Sequence, residues 1–150
     1  MSPLFAFLHH LSAFTLVAAL AVEFVLVRDD LTLGNARKVL IADAVYGASA
    51  GILIVVGFLR VFYFEKGATY YFHTWTFIAK LSLFIIIGVV SIVPTIAFLS
   101  WRKAVKQGQA PSVDTRKMRL LRSIIHLELA GVVLILLMAA LMAKGVGLML

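Results

Sequence analysis

SIIHLELAGVVLILLMAALMA, residues 123–143, decides the fold. A bilayer's hydrocarbon core is about 30 Å thick, and a helix crosses it with about 20 apolar residues at about 1.5 Å each. This run has that length. It also carries His126 and Glu128. Because no water is present in hydrocarbon to satisfy backbone groups, such a segment must close its own hydrogen bonds as a helix. The reading is a membrane-crossing helix that keeps two ionisable side chains.

Three more segments have the same character. Residues 4–27 are apolar except for His9, His10 and Glu23, and residues 44–64 are uncharged until Arg60. Residues 74–101 hold Lys80 near the start and Pro94 late. The first run has no Lys or Arg before it and continues past Glu23, so it reads as a retained helix rather than a cleaved signal. The expected fold is an all-α integral membrane protein, an antiparallel bundle of four transmembrane helices in a single domain, 1–150. Residues 102–122, with Gly108 and Pro111 as breakers, form its one linker-like connection.

Composition agrees. The chain of 150 residues is 63% apolar and 14% charged, against about 45–50% and about 25% in soluble domains. That excludes a soluble globular enzyme, a disordered tail and a disulfide-stapled secreted module. The absence of cysteine excludes thiol redox chemistry, Cys-ligated iron–sulfur clusters and thiolate zinc sites. A net charge of +7 would suit a nucleic acid, but position speaks against that partner. Arg28, Arg37, Lys38, Arg102, Lys103, Lys106, Arg116, Lys117, Arg119 and Arg122 fall in the first and third connections. Only Lys66 and Lys144, with Arg60 and Lys80 just inside the membrane, fall on the other side. By the positive-inside rule the basic side is cytoplasmic, and both termini face away from it.

Ionisable side chains within a span are functional candidates, against the plainer reading of packing or interhelical hydrogen bonding. His9 and Glu23 are 14 residues apart, about four turns, and share a face with Ser12, Leu16 and Ala19 nearby. His10 turns roughly 100° away, toward lipid. In the second span Tyr46, Ala50, Leu53, Gly57 and Arg60 form one stripe, and in the third Lys80, Phe84, Ser91 and Thr95 lie on or near one face. The outer half is expected to gather His9, Arg60 and Lys80, and the inner half Glu23, Tyr46, His126 and Glu128. A histidine inside the bundle with cations above it suits a b-type haem, imidazole on the iron and Arg or Lys on the propionates. A bare metal site fits less well, and a proton relay through Glu23, Tyr46, His126 and Glu128 is the other option. His9 and His126 differ in height by roughly 20 Å, too far to share one iron.

Longer runs carry a resemblance. GFLRVFYFEKGATYYFHTWTFIAKLSLF, SIVPTIAFLSWRK and RSIIHLELAGVVLILLMAALMAKG, with the opening FLHHLSAF, resemble an uncharacterised bacterial family of four-span membrane proteins over nearly the whole chain. Its motif positions fall on His9, Glu23, Arg60, Glu65, Lys66, Tyr70, Tyr71, Lys80, His126 and Glu128. More distantly the pattern is similar to HemJ-type protoporphyrinogen oxidases and CopD-like copper-resistance proteins. The HemJ-type resemblance implies haem b, with functional positions on His9 and Lys80. It also implies a multi-pass protein of the bacterial cytoplasmic (inner) membrane.

The resulting expectation is a membrane redox protein with His9 as axial haem ligand. Lys80 is the opposite ligand or, with Arg60, a propionate partner, and His73 is a second candidate ligand. Electron transfer to quinone or oxidation of a porphyrin-like substrate would follow. The alternative is a cofactor-free transporter or assembly subunit, copper handling included, although the five methionines form no soft-ligand cluster. A homo-oligomer through Gly47 and Gly51, or through Phe58, Phe62, Tyr63 and Phe64, is expected as a further partner interaction.

Overall fold

A computed structural model describes residues 3–64 and 66–147. Glu65, one of the motif positions above, lies outside the described residues. Four long helices run antiparallel: α1 (Pro3–Leu26), α2 (Leu33–Leu59), α4 (Trp75–Lys106) and α5 (Thr115–Ala143). A π-helical turn, Arg60–Phe64, finishes α2, and a short α3 (Ala68–Phe72) sits in the second connection. Each long helix is apolar enough to cross a membrane. Helix α1 packs mainly on α2 and α4 on α5, while α2–α4 and α1–α5 contacts join the two pairs.

The helices run past the apolar segments that announce them. Helix α2 begins at Leu33 and α4 continues to Lys106. With 32 residues, α4 is about 48 Å long, well over the hydrocarbon thickness. The surplus projects at the basic end, where apolar residues recur among charged ones at helical spacing. Ala36, Val39, Met118 and Leu121 are buried there while Arg37, Lys38, Lys117 and Arg119 are exposed. Local signals set the ends. The Thr32 hydroxyl caps α2 by accepting from the Asn35 amide at 3.1 Å, and Asn35 Nδ2 donates to the Asp30 carbonyl at 2.9 Å.

The main core lies toward that basic end: Leu16, Leu20, Val27, Val39, Phe98, Trp101, Leu121 and Ile125 are all buried in one cluster. A smaller cluster of Val61, Tyr71 and Phe77 closes the opposite end. There the chain after α5 folds back on α4: Trp75 N donates to Gly147 O and Thr76 Oγ1 to Val146 O, both at 2.9 Å. Gly147 has φ +104°, and a Cβ on it would meet Trp75 Nε1 at 2.7 Å, so glycine is needed there twice over. The outward faces are apolar. Phe14 is 74% exposed and Leu127, Val133 and Ile96 are each more than 60% exposed, so this surface is lipid contact.

Helices α4 and α5 pack tightly at Gly131. A methyl group there would collide with the Ile87 side chain, whereas one at Gly88 meets nothing within 4 Å. Gly131→Ala is therefore expected to cost about 1–3 kcal/mol of stability and Gly88→Ala nothing. Ile87→Ala in the Gly131→Ala background should recover part of the loss. Denaturation of the detergent-solubilised variants checks this, and equal behaviour of the two glycines would refute the packing.

Candidate functional site: a buried carboxyl cluster

Two contacts fix the register of α1 on α2. The His9 ring lies against Gly57, its Cε1 3.6 Å from where a Gly57 Cβ would sit. Glu23 lies close enough to Asp43 for their charges to interact. Both intervals are 14 residues, so one face of α1 meets one face of α2 over about four turns. Ser12 and Ser49 are buried along that seam.

All four long helices converge at the lower end of the seam. Glu23 comes from α1, Asp43 and Tyr46 from α2, Ser91 and Thr95 from α4, and Glu128 from α5. Glu23 and Glu128 are each only 1% exposed. Asp43 accepts a hydrogen bond from Thr95 Oγ1 at 2.7 Å. The Tyr46 side chain lies close enough to Glu128 and to Ser91 to interact with both. The carboxyl groups of Glu23, Asp43 and Glu128 act electrostatically on one another. Oε1 of Glu23 and Oε1 of Glu128 are buried and accept no hydrogen bond from the described residues. One turn further toward the basic end, Arg122 Nε donates to the Val27 carbonyl at 2.6 Å and ties α5 to the end of α1.

Of the inner-half residues expected from sequence, Glu23, Tyr46 and Glu128 are brought together and His126 is not. His126 is exposed, its ring 5.9 Å from that of Phe24. The reason is helical phase: two residues turn a helix by about 200°, so burying Glu128 turns His126 outward. Asp43 belongs to the cluster although it escapes the sequence reading, where it closes the polar connection before the second apolar run. Carrying the Tyr46–Gly57 stripe back by three residues would have found it.

At the other end His9 is the inward histidine, with Nδ1 shut away from solvent, while His10 is exposed and bonded through Nδ1 to the Ala6 carbonyl at 2.7 Å. His73 is also exposed, its Nδ1 2.7 Å from the Thr69 carbonyl. Arg60 and Lys80 are half-buried, and Lys80 Nζ lies 5.5 Å from the centre of the Phe77 ring. As a haem test, His9 supplies one inward, half-buried imidazole, whose ring packs against Gly57. Two shallow hollows lie on the α1–α2 flank, and neither is lined by His9, Arg60, His73 or Lys80. No group of three or more His, Asp or Glu among the described residues is arranged to hold a metal ion.

Gly47 and Gly51 are exposed, with open space where a side chain would stand. Phe58, Phe62 and Tyr63 are also exposed. A family model described as "Predicted membrane protein (DUF2214)" matches residues 1–147. No curated protein and no solved structure matches the chain, so the comparisons lend no support to the likeness to HemJ-type or CopD-like proteins.

Proposed function

The chain belongs to the DUF2214 family of predicted membrane proteins, and we propose that it is a small proton-linked membrane transporter whose working part is the cluster of Glu23, Asp43, Tyr46 and Glu128. One observation carries this reading: three helices each deliver a carboxyl group to one buried spot, and the fourth delivers hydroxyls to it. Packing alone does not call for that arrangement, because buried charge is costly wherever water is excluded. Like charges in a low-dielectric interior demand a cation as companion. The proton is the simplest such cation, since one carboxyl oxygen suffices to hold it.

The chemistry is a relay. Tyr46, beside Glu128, can take a proton on its oxygen while passing its own to the neighbouring carboxylate, so charge moves and the phenol is unchanged. The arginine-rich end faces the cytoplasm by the positive-inside rule, which makes that side the nearer source of protons, in a bacterial inner membrane. Proteoliposomes loaded with a pH dye test the proposal. After an acid step, protein-containing vesicles should acidify faster than empty ones, and identical rates would refute it.

A second reading keeps haem b, because among the four histidines only His9 is not exposed. His9, with Lys80 or His73, would hold it and Arg60 would pair with its propionates; the group would supply one-electron chemistry toward quinone or a porphyrin-like substrate. The visible spectrum of the protein, purified from haem-replete cells and reduced with dithionite, decides this. The reading expects a Soret band with reduced α and β bands, lost in His9→Ala and kept in His10→Ala. A folded, colourless protein that takes up no added hemin would end it.

A further inference from the structure

The three buried carboxyl groups differ in what they receive. Asp43 accepts the Thr95 hydroxyl at 2.7 Å, whereas Glu23 Oε1 and Glu128 Oε1 are buried and accept nothing from the described residues. Two other hydroxyls within the spans turn back on their own helix: Thr15 donates to the Leu11 carbonyl and Ser91 to the Gly88 carbonyl, both at 2.8 Å. Thr95 has the same choice one turn back, at the Ser91 carbonyl, and directs its proton across to α2 instead. We propose that Thr95 is a positioning residue of the relay: its hydroxyl fixes Asp43 as the standing carboxylate of the cluster, which leaves Glu23 and Glu128 as the members that take and release protons. This assignment rests on the proton-linked reading above.

Carboxyl groups that feel one another's charge do not all ionise in a site shut away from water. A hydrogen bond donated to a carboxylate favours its charged form, so the first to ionise is the one that has a donor. No lysine or arginine among the described residues acts on Asp43 in place of that donor. On α2 the nearest cation, Lys38, is exposed and stands five residues away, about 140° around the helix. The groups that face Asp43 are Glu23 from α1, Glu128 from α5 and Thr95 from α4, with Tyr46 one turn along its own helix. A fixed charge in that company has two effects. It draws a proton into the cluster, and its repulsion keeps the two glutamates from ionising together, so their protons leave one at a time.

Proton entry into proteoliposomes and the infrared spectrum of the full chain in lipid test the assignment together. Thr95→Val keeps the shape of the side chain and removes the donor. It should slow entry about tenfold near neutral pH, the scale of one hydrogen bond to a charged group, and the wild-type rate should return about one pH unit higher. A packing defect would not be repaired by pH. Thr95→Ser, which keeps the donor, should behave as wild type, and Thr95→Ala replaces the valine variant if that one misfolds. In the infrared at about pH 7, Asp43→Asn should remove carboxylate intensity, and Thr95→Val should move that intensity into the band of protonated carboxyl groups. Loss of protonated-carboxyl intensity in Asp43→Asn, or a wild-type spectrum and pH profile in Thr95→Val, would overturn the proposal. Vesicles without protein-dependent proton entry would end the proton-linked reading and the relay role with it, while the infrared arm would still show whether Thr95 sets the charge of Asp43.

Discussion

Glu128→Gln and Glu23→Gln should each slow proton entry into proteoliposomes by about a hundredfold, the scale on which a positioned acid–base group acts. Glutamine keeps the size and hydrogen-bonding capacity of the side chain and removes only its ability to exchange a proton, so the bundle should remain folded. Tyr46→Phe should slow entry too, because it removes the hydroxyl beside Glu128. His126→Gln should have no effect, since His126 faces outward at the same level. The contrast between positions 126 and 128 separates a relay from a general consequence of altering α5. Wild-type rates in Glu128→Gln would remove the cluster from the mechanism.

The second large effect concerns stability. Phe98 is fully buried with its ring 5.0 Å from Trp101, whereas Ile96, two residues earlier on α4, is 63% exposed. Phe98→Ala should destabilise the bundle by about 3–5 kcal/mol, the loss of a buried aromatic together with the cavity left behind. Ile96→Ala exchanges one lipid-facing apolar side chain for another and should change stability by less than about 0.5 kcal/mol. Thermal or denaturant unfolding in detergent measures both. Similar shifts would mean that α4 packs with a different face inward.

The four spans were legible because lipid leaves few choices: long apolar runs must be helices, and their lysines and arginines mark the ends. Phase along α1 was legible as well, and His9 turned inward with His10 outward follows from it. What sequence left open was how far the helices project. Residues 33–43 and 115–122 are too polar to register as spans, yet they are helical because their apolar positions pack on neighbours that are distant in sequence. Asp43 went unrecognised for that reason, since it stands where a polar flank meets an apolar run. The grouping of His126 with Glu128 had a different origin: both were placed by height in the membrane, and height says nothing about direction around the helix. The π-helical turn at Arg60–Phe64 has no signal in the sequence that we can name.

In a working relay, the carboxyl groups of the cluster exchange protons within the membrane. Infrared difference spectroscopy of the protein in lipid, between about pH 5 and about pH 9, observes this directly through the carbonyl stretch of protonated carboxyl groups. A pH-dependent band from groups shielded from water is expected, altered in position or amplitude by Glu23→Gln and by Glu128→Gln and unchanged by His126→Gln. A spectrum in which no such band responds to pH, or in which neither glutamine variant alters it, would contradict the account.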